Sequence, residues 1–161
     1  MESCKRAMVT GAAGFVGGHL LERLIGMGWD VAGVDDMSAG HPELLPPHVA
    51  QLIGRSDFAD ERILDCVSDV DVVFHLAAVP RVSYSVEHPL ETHSTNYDKT
   101  VKLIDAVRRA DRRPRIILAS SSSVYGDGVP LPTREDDARL FGQLSPYAVQ
   151  KAQCEMALRM Y

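Results

Sequence analysis

Apolar and polar positions along this chain alternate between two periods. Ala7-Met8-Val9-Thr10, Val31-Ala32-Gly33-Val34 and Val70-Asp71-Val72-Val73-Phe74-His75-Leu76 are short, nearly continuous apolar runs. Such runs predict strands buried on both faces. Val49 to Ile53 predicts a further strand, third in chain order, and Arg115-Ile116-Ile117-Leu118-Ala119 a fifth. Between the first two runs, Phe15 to Met27 carries Val16, Leu20, Leu21, Leu24 and Ile25 at helical spacing, with Gly26 and Gly28 to end it. Helices are also predicted over Asp60 to Val67, Thr92 to Ala110 and Pro146 to Tyr161. The second of these has Val101, Leu103, Ile104 and Val107 as its apolar stripe. In the third, Pro146 suits the first turn and Ser145 can cap it. Loops rich in Pro and Gly fall at Ser38 to Pro47 and Gly126 to Leu144.

Strands that alternate with helices predict an α/β fold, a doubly wound parallel sheet in the order 3-2-1-4-5. The length of 161 residues fits one domain, 1–161, with no internal repeat or linker. The net charge of −5 argues against a nucleic-acid or anionic-membrane surface, which needs a basic face. No apolar stretch approaches the roughly 18 residues of a membrane span, and the N-terminus has no signal-peptide core. Cys4, Cys66 and Cys154 are scattered and form no metal-ligand pattern. They read as reduced thiols in a cytoplasmic protein that holds no metal.

Candidate chemistry sharpens this picture. Gly11-Ala12-Ala13-Gly14-Phe15-Val16-Gly17 lies between a predicted strand and a predicted helix. Glycines there permit a tight turn and close approach of a pyrophosphate, which the helix N-terminus attracts. The spacing is GxxGxxG rather than the commoner GxGxxG. Asp35 ends the second strand, where a carboxylate can accept both adenosine ribose hydroxyls and repel a 2′-phosphate, favouring NAD over NADP. Asp36 beside it is a rival for that role. Asp57-Phe58 follows the third strand and is placed to face an adenine or to form a plain surface turn. His75-Leu76-Ala77-Ala78 ends the fourth strand, and its small residues let a cofactor pass close to the main chain. His75 itself reads as a buried, hydrogen-bonded residue.

Ser121 lies at the carboxyl end of the fifth strand, where ligands of such sheets bind. Tyr147 and Lys151 stand at i and i+4 on one helix face. A free tyrosine, with a pKa of about 10, is a poor base at neutral pH, and a neighbouring ammonium favours its phenolate. A serine beside it can hold a substrate oxygen.

These residues resemble the N-terminal part of an extended short-chain dehydrogenase/reductase, close to the nucleotide-sugar 4-epimerases. The resemblance runs through the glycine turn, Val34-Asp35-Asp36-Met37-Ser38-Ala39-Gly40, His75 to Ala78, Ser83 to Pro89, Thr95-Asn96, Ser120 to Gly126 and Tyr147 to Lys151. It implies tightly held NAD, with Gly11, Gly14 and Gly17 at the pyrophosphate and Phe15 and Val16 among the cofactor-binding residues. It implies Asp35, Asp36 and Ser38 near the adenosine ribose and Asp57 and Phe58 near the adenine. Leu76, Ala77 and Ala78 would line the cofactor path, and Asn96 would support the site. It makes Tyr147 the base, and Lys151 the group that bridges the nicotinamide ribose and tunes Tyr147.

The family's catalytic Ser or Thr stands four residues before the tyrosine of its Val-Tyr-Gly segment. Here that is Ser121, with Ser120, Ser122 and Ser123 as neighbours that compete for the assignment. Dehydratases of the family carry an acidic pair after that residue. Ser122 and Ser123 occupy those positions here, which favours epimerisation at C4 of a UDP-type sugar. The resemblance also implies a homodimer formed through the helices over Thr92 to Ala110 and Pro146 to Tyr161. Family members are longer, and the region beyond Tyr161 would carry further strands and a substrate domain. Two readings therefore stand: the cofactor-binding part of an epimerase, dehydratase or reductase, or a non-catalytic NAD-binding module.

Overall fold

A computed structural model describes residues 4–51, 53–137 and 141–161. Its strands are β1 (Arg6–Thr10), β2 (Asp30–Asp35), β3 (Ile53–Arg55), β4 (Val72–His75) and β5 (Arg115–Leu118). All pair in parallel, in the order β3-β2-β1-β4-β5, as the sequence predicts. Register aligns the carboxyl ends of the central strands: Thr10 pairs with Val34 and with His75, and His75 with Leu118. The helices are α1 (Phe15–Gly26), α2 (Pro47–Ala50), α3 (Glu61–Asp65), α4 (Val82–Glu87), α5 (Pro89–His93), α6 (Lys99–Arg109) and α7 (Pro146–Met160). Among the described residues, no helix is long and apolar enough to cross a membrane.

The chain divides into two compact units: residues up to Ala77 with Lys102–Ala119, and Ala78–Val101 with Ser120–Tyr161. The first contains the sheet, and apolar clusters cover both its faces. On one, Met8, Val34 and Val73 pack with Leu103, Ala106 and Val107 of α6. On the other, Ala7, Val9 and Val31 pack with Leu21 and Leu24 of α1 and with Val49. This two-sided burial explains why the strands read as continuous apolar runs rather than alternating ones. The second unit is helical: α4, α5, a π turn at Ser94–Asp98, a 3-10 turn at Ser122–Tyr125 and α7.

The third strand departs from its prediction. Residues 47–50 form α2, and the strand begins at Ile53. Pro47 sits in the first turn of α2, where its fixed φ suits a helix, and the Gln51 side chain donates back to the Pro47 carbonyl at 2.9 Å. Val49 is fully buried, so its apolar character marks the core and not a strand. The predicted helix over Thr92 to Ala110 is α5, the π turn and α6 in series. The helix α4 is an element that periodicity does not predict.

Candidate active site

The glycine turn joins β1 to α1. Gly11 has φ +71°, and a β-carbon on it would press into the Leu76-Ala77 peptide. A β-carbon on Gly17 would overlap the Gly11 carbonyl oxygen. Each is glycine because the backbone leaves no room for more. The Gly14 amide donates to the Gly11 carbonyl at 3.2 Å, and Phe15 and Val16 project outward as exposed side chains. The turn is therefore a tight cradle of backbone at the N-terminus of a 12-residue helix, a shape suited to a pyrophosphate.

Asp35 ties this cradle to β2. Its Oδ2 accepts from the Ala13 amide at 3.0 Å and its Oδ1 from the Met37 amide at 2.8 Å. Met37 takes a left-handed backbone, φ 64°, unusual for a side-chain-bearing residue. Asp36 lies outside this group and accepts from the Ser38 amide. Asp57 accepts from the Ala59 amide and so closes a turn. The Phe58 ring is buried and lies 4.8 Å from the His75 ring, between centroids. His75 is 1% exposed, and its Nδ1 lies 2.7 Å from the Thr10 hydroxyl. That hydroxyl also accepts from the Ala77 amide, so Thr10 fixes the backbone after β4.

The second unit contains Ser121, Tyr147, Lys151 and Asn96. Tyr147 opens α7, and hydroxyls take the free amides of that helix end. Ser85 Oγ accepts from the Tyr147 amide at 3.1 Å, and Ser145 Oγ from the Ala148 amide at 3.2 Å. Tyr147 is thus anchored through its own backbone. Its hydroxyl meets Ser121. Burial pushes the Tyr147 phenol up, and the Ser121 hydrogen bond works against that rise. Lys151, one turn on, is 3% exposed, and burial pulls its ammonium down.

The four serines separate by position. Ser120 donates to Glu155 of α7 and Ser122 is exposed, whereas Ser121 is the serine that meets Tyr147.

Asn96 sits in the π turn and is 1% exposed. Its amide oxygen accepts from the Val79 amide at 2.7 Å, and its nitrogen donates to the Val79 carbonyl and to Gln150 of α7. Gln150 donates in turn to Thr92. The Asn96 carbonyl accepts from the Thr100 hydroxyl and the Cys154 thiol. Asn96 therefore acts as a clasp between the chain after β4, α5 and α7. Its replacement by alanine strips the half-buried Val79 amide and carbonyl and the buried Gln150 side chain of a partner, each orphaned group costing about 1–3 kcal/mol. The Asn96→Ala protein is expected to lose roughly 2–4 kcal/mol of stability, read as a lower urea midpoint at unchanged slope. An unchanged midpoint would refute the clasp.

These arrangements meet an independent finding. The model of the NAD dependent epimerase/dehydratase family matches residues 7–161. The chain belongs to that family. The epimerase/dehydratase chain is 38% identical over 165 aligned positions to a UDP-glucose 4-epimerase of Mycolicibacterium smegmatis, covering 97% of this chain and 51% of the relative. It is 37% identical to a UDP-N-acetyl-alpha-D-glucosaminuronate decarboxylase of Bacillus cytotoxicus, covering 94% and 47%. Among solved structures, it superposes with a TM-score of 0.88 on a UDP-N-acetylglucosamine 4-epimerase of Methanobrevibacter ruminantium, solved with UDP-N-acetylmuramic acid. That pair shares 37% identity and covers 98% of this chain and 50% of the other. The chain spans about half the length of the curated relatives it matches.

Periodicity and spacing in this epimerase/dehydratase chain miss Ser85, Thr92 and Gln150, which brace Tyr147 and Asn96. They are small or neutral polar residues; Ser85 and Gln150 lie within segments that carry the family resemblance, but nothing in the pattern of positions singles them out. Gln143, which donates to the Val124 carbonyl at 3.0 Å, is missed for the same reason.

Proposed function

We propose that this chain forms the cofactor-binding and proton-transferring part of a nucleotide-sugar 4-epimerase that uses NAD. The observation that carries the reading is the hydrogen-bonded Ser121–Tyr147 pair with Lys151 one helical turn away, in a chain that also folds a glycine cradle.

The cradle fits NAD. Gly11, Gly14 and Gly17, with the α1 amides, would hold the pyrophosphate, and Phe15 and Val16 would flank it. Asp35 would take the adenosine ribose, with Asp36 and Ser38 beside it and Asp57 and Phe58 toward the adenine. Leu76, Ala77 and Ala78 would line the path to the nicotinamide, and Asn96 holds the backbone at Val79. NAD, when bound, supplies a hydride acceptor and donor. Tyr147 takes the C4-hydroxyl proton as the sugar is oxidised and gives it back when the C4 ketone is reduced on its other face. Ser121 orients the C4 oxygen. Lys151 would contact the nicotinamide ribose, and a charge held there would favour the Tyr147 phenolate against the upward push of burial on the phenol.

The absence of an acidic pair after Ser121, where Ser122 and Ser123 stand, favours epimerisation over dehydration. The decarboxylase relative supports a second reading, in which the C4 ketone leads on to loss of a substituent. Incubation with UDP-glucose and with UDP-N-acetylglucosamine separates the two. A C4 epimer as sole product supports the first, and release of water or carbon dioxide from these or the matching uronic acid supports the second.

A homodimer through α5, α6 and α7 is part of the proposal. The exposed Leu90, Met156 and Met160 supply apolar surface for it. Light scattering is expected to give the dimer mass, and a monomer mass would contradict this part.

A further inference from the structure

The direction of the Ser121–Tyr147 hydrogen bond bears on a residue given no part in the proton transfer above. A serine hydroxyl has one proton to donate and two lone pairs to accept with. Ser121 Oγ accepts from the Ser123 amide at 3.2 Å and from the Ser123 hydroxyl at 2.8 Å. Both acceptor positions are then filled from Ser123, and what remains on Ser121 is its proton. Ser121 is half-buried and caps the 3-10 turn with an extended backbone, φ −148°, which aims its side chain back over that turn. The turn is fixed from outside: Gly126, at φ +74°, lies where a β-carbon would press on the Gly142 carbonyl, and Gln143 ties down the Val124 carbonyl. Of the other serines in the run, Ser120 is engaged by Glu155 and Ser122 is exposed, so neither completes the pair.

We propose that Ser123 is a positioning residue that commits Ser121 to donating, so that the Ser121 proton points at the Tyr147 oxygen or at the substrate oxygen beside it. It acts through Ser121, by occupying the lone pairs that would otherwise let Ser121 accept from a neutral Tyr147. A Ser121 held as donor stabilises the phenolate, the form that takes a proton from the sugar. Each hydroxyl in such a chain also polarises the next. The inference rests on the proposed role of Tyr147 as base, but its test does not need turnover.

The test is the ionisation of Tyr147, followed by tyrosinate difference absorbance with saturating NAD and no substrate. The other tyrosines are removed from the signal by subtracting the Tyr147→Phe protein. Ser123→Ala keeps the backbone amide and deletes the hydroxyl, and is expected to raise the midpoint by about half a pH unit, or about threefold less phenolate below it. Ser123→Thr keeps the hydroxyl and is expected to restore the wild-type midpoint. In protein that turns over, the acid limb of kcat/KM moves with it. A Ser123→Ala midpoint equal to or below wild type would overturn the proposal, as would a threonine variant shifted as far as the alanine one. A restored shift in a protein without epimerase activity would count against the epimerase reading alone. Turnover without the shift would count against Ser123 alone.

Discussion

In the proposed 4-epimerase, replacing Tyr147 by phenylalanine is expected to lower the rate by about 10²- to 10⁴-fold, the usual worth of a positioned general acid–base group. The ring is buried at the start of α7 and its backbone is held by Ser85, so phenylalanine fits the same space. What it loses is the oxygen that meets Ser121. Stability therefore changes little, and NAD stays bound. The pH dependence of the wild-type rate carries the same signature. Burial raises the phenol above its usual range. Activity should accordingly rise with pH as the phenolate forms, and a positive charge from Lys151 or NAD should move that rise to lower pH. A Tyr147→Phe protein that retains most of the rate would remove Tyr147 from the role of base.

The second large effect belongs to the cradle. Gly17→Ala is expected to cost about 1–3 kcal/mol of stability, because its methyl group overlaps the Gly11 carbonyl oxygen and backbone must move. The same movement displaces the amides that would hold the pyrophosphate, so NAD affinity should fall on the order of 100-fold. Gly26→Ala is the matched control at the other end of α1. Nothing lies within 4 Å of its added β-carbon, so it should leave NAD affinity unchanged and hold or slightly raise stability. Equilibrium dialysis against NAD and urea unfolding read both quantities. Equal NAD affinity in the Gly17→Ala and wild-type proteins would show that the cradle does not bind the pyrophosphate.

Much of this was legible in the sequence because two-sided burial leaves a strong imprint. The runs at Ala7–Thr10, Val31–Val34 and Val72–His75 can be satisfied only inside a covered parallel sheet, and the observed strand order follows. The glycine spacing was legible because a tight backbone turn tolerates no side chain at Gly11 or Gly17. Capping of α7 by Ser145 could be read from local chemistry alone. The third strand was misread because Val49 is apolar for a reason periodicity does not see: it plugs the core from a short proline-started helix.

Partners set by tertiary structure were not legible either. That Asp35 would hold the Ala13 and Met37 amides, that Ser85 would cap the helix bearing Tyr147, and that Asn96 would clasp Val79 and Gln150 depend on segments far apart in the chain. The π turn at Ser94–Asp98 interrupts a helix whose apolar stripe gives no hint of it. The packing of the Phe58 ring in the core, against His75, likewise depends on a partner distant in the chain.

The most direct measurement is the fate of a deuterium label at C4 of UDP-glucose, followed by mass spectrometry and NMR after incubation with the NAD-loaded protein. Epimerisation predicts UDP-galactose with the label still at C4, because the hydride that leaves is the one that returns and only the hydroxyl proton, handled by Tyr147, exchanges with water. A protein that binds NAD and the sugar nucleotide yet forms no epimer, or forms one with the label lost or moved to another carbon, would contradict the account.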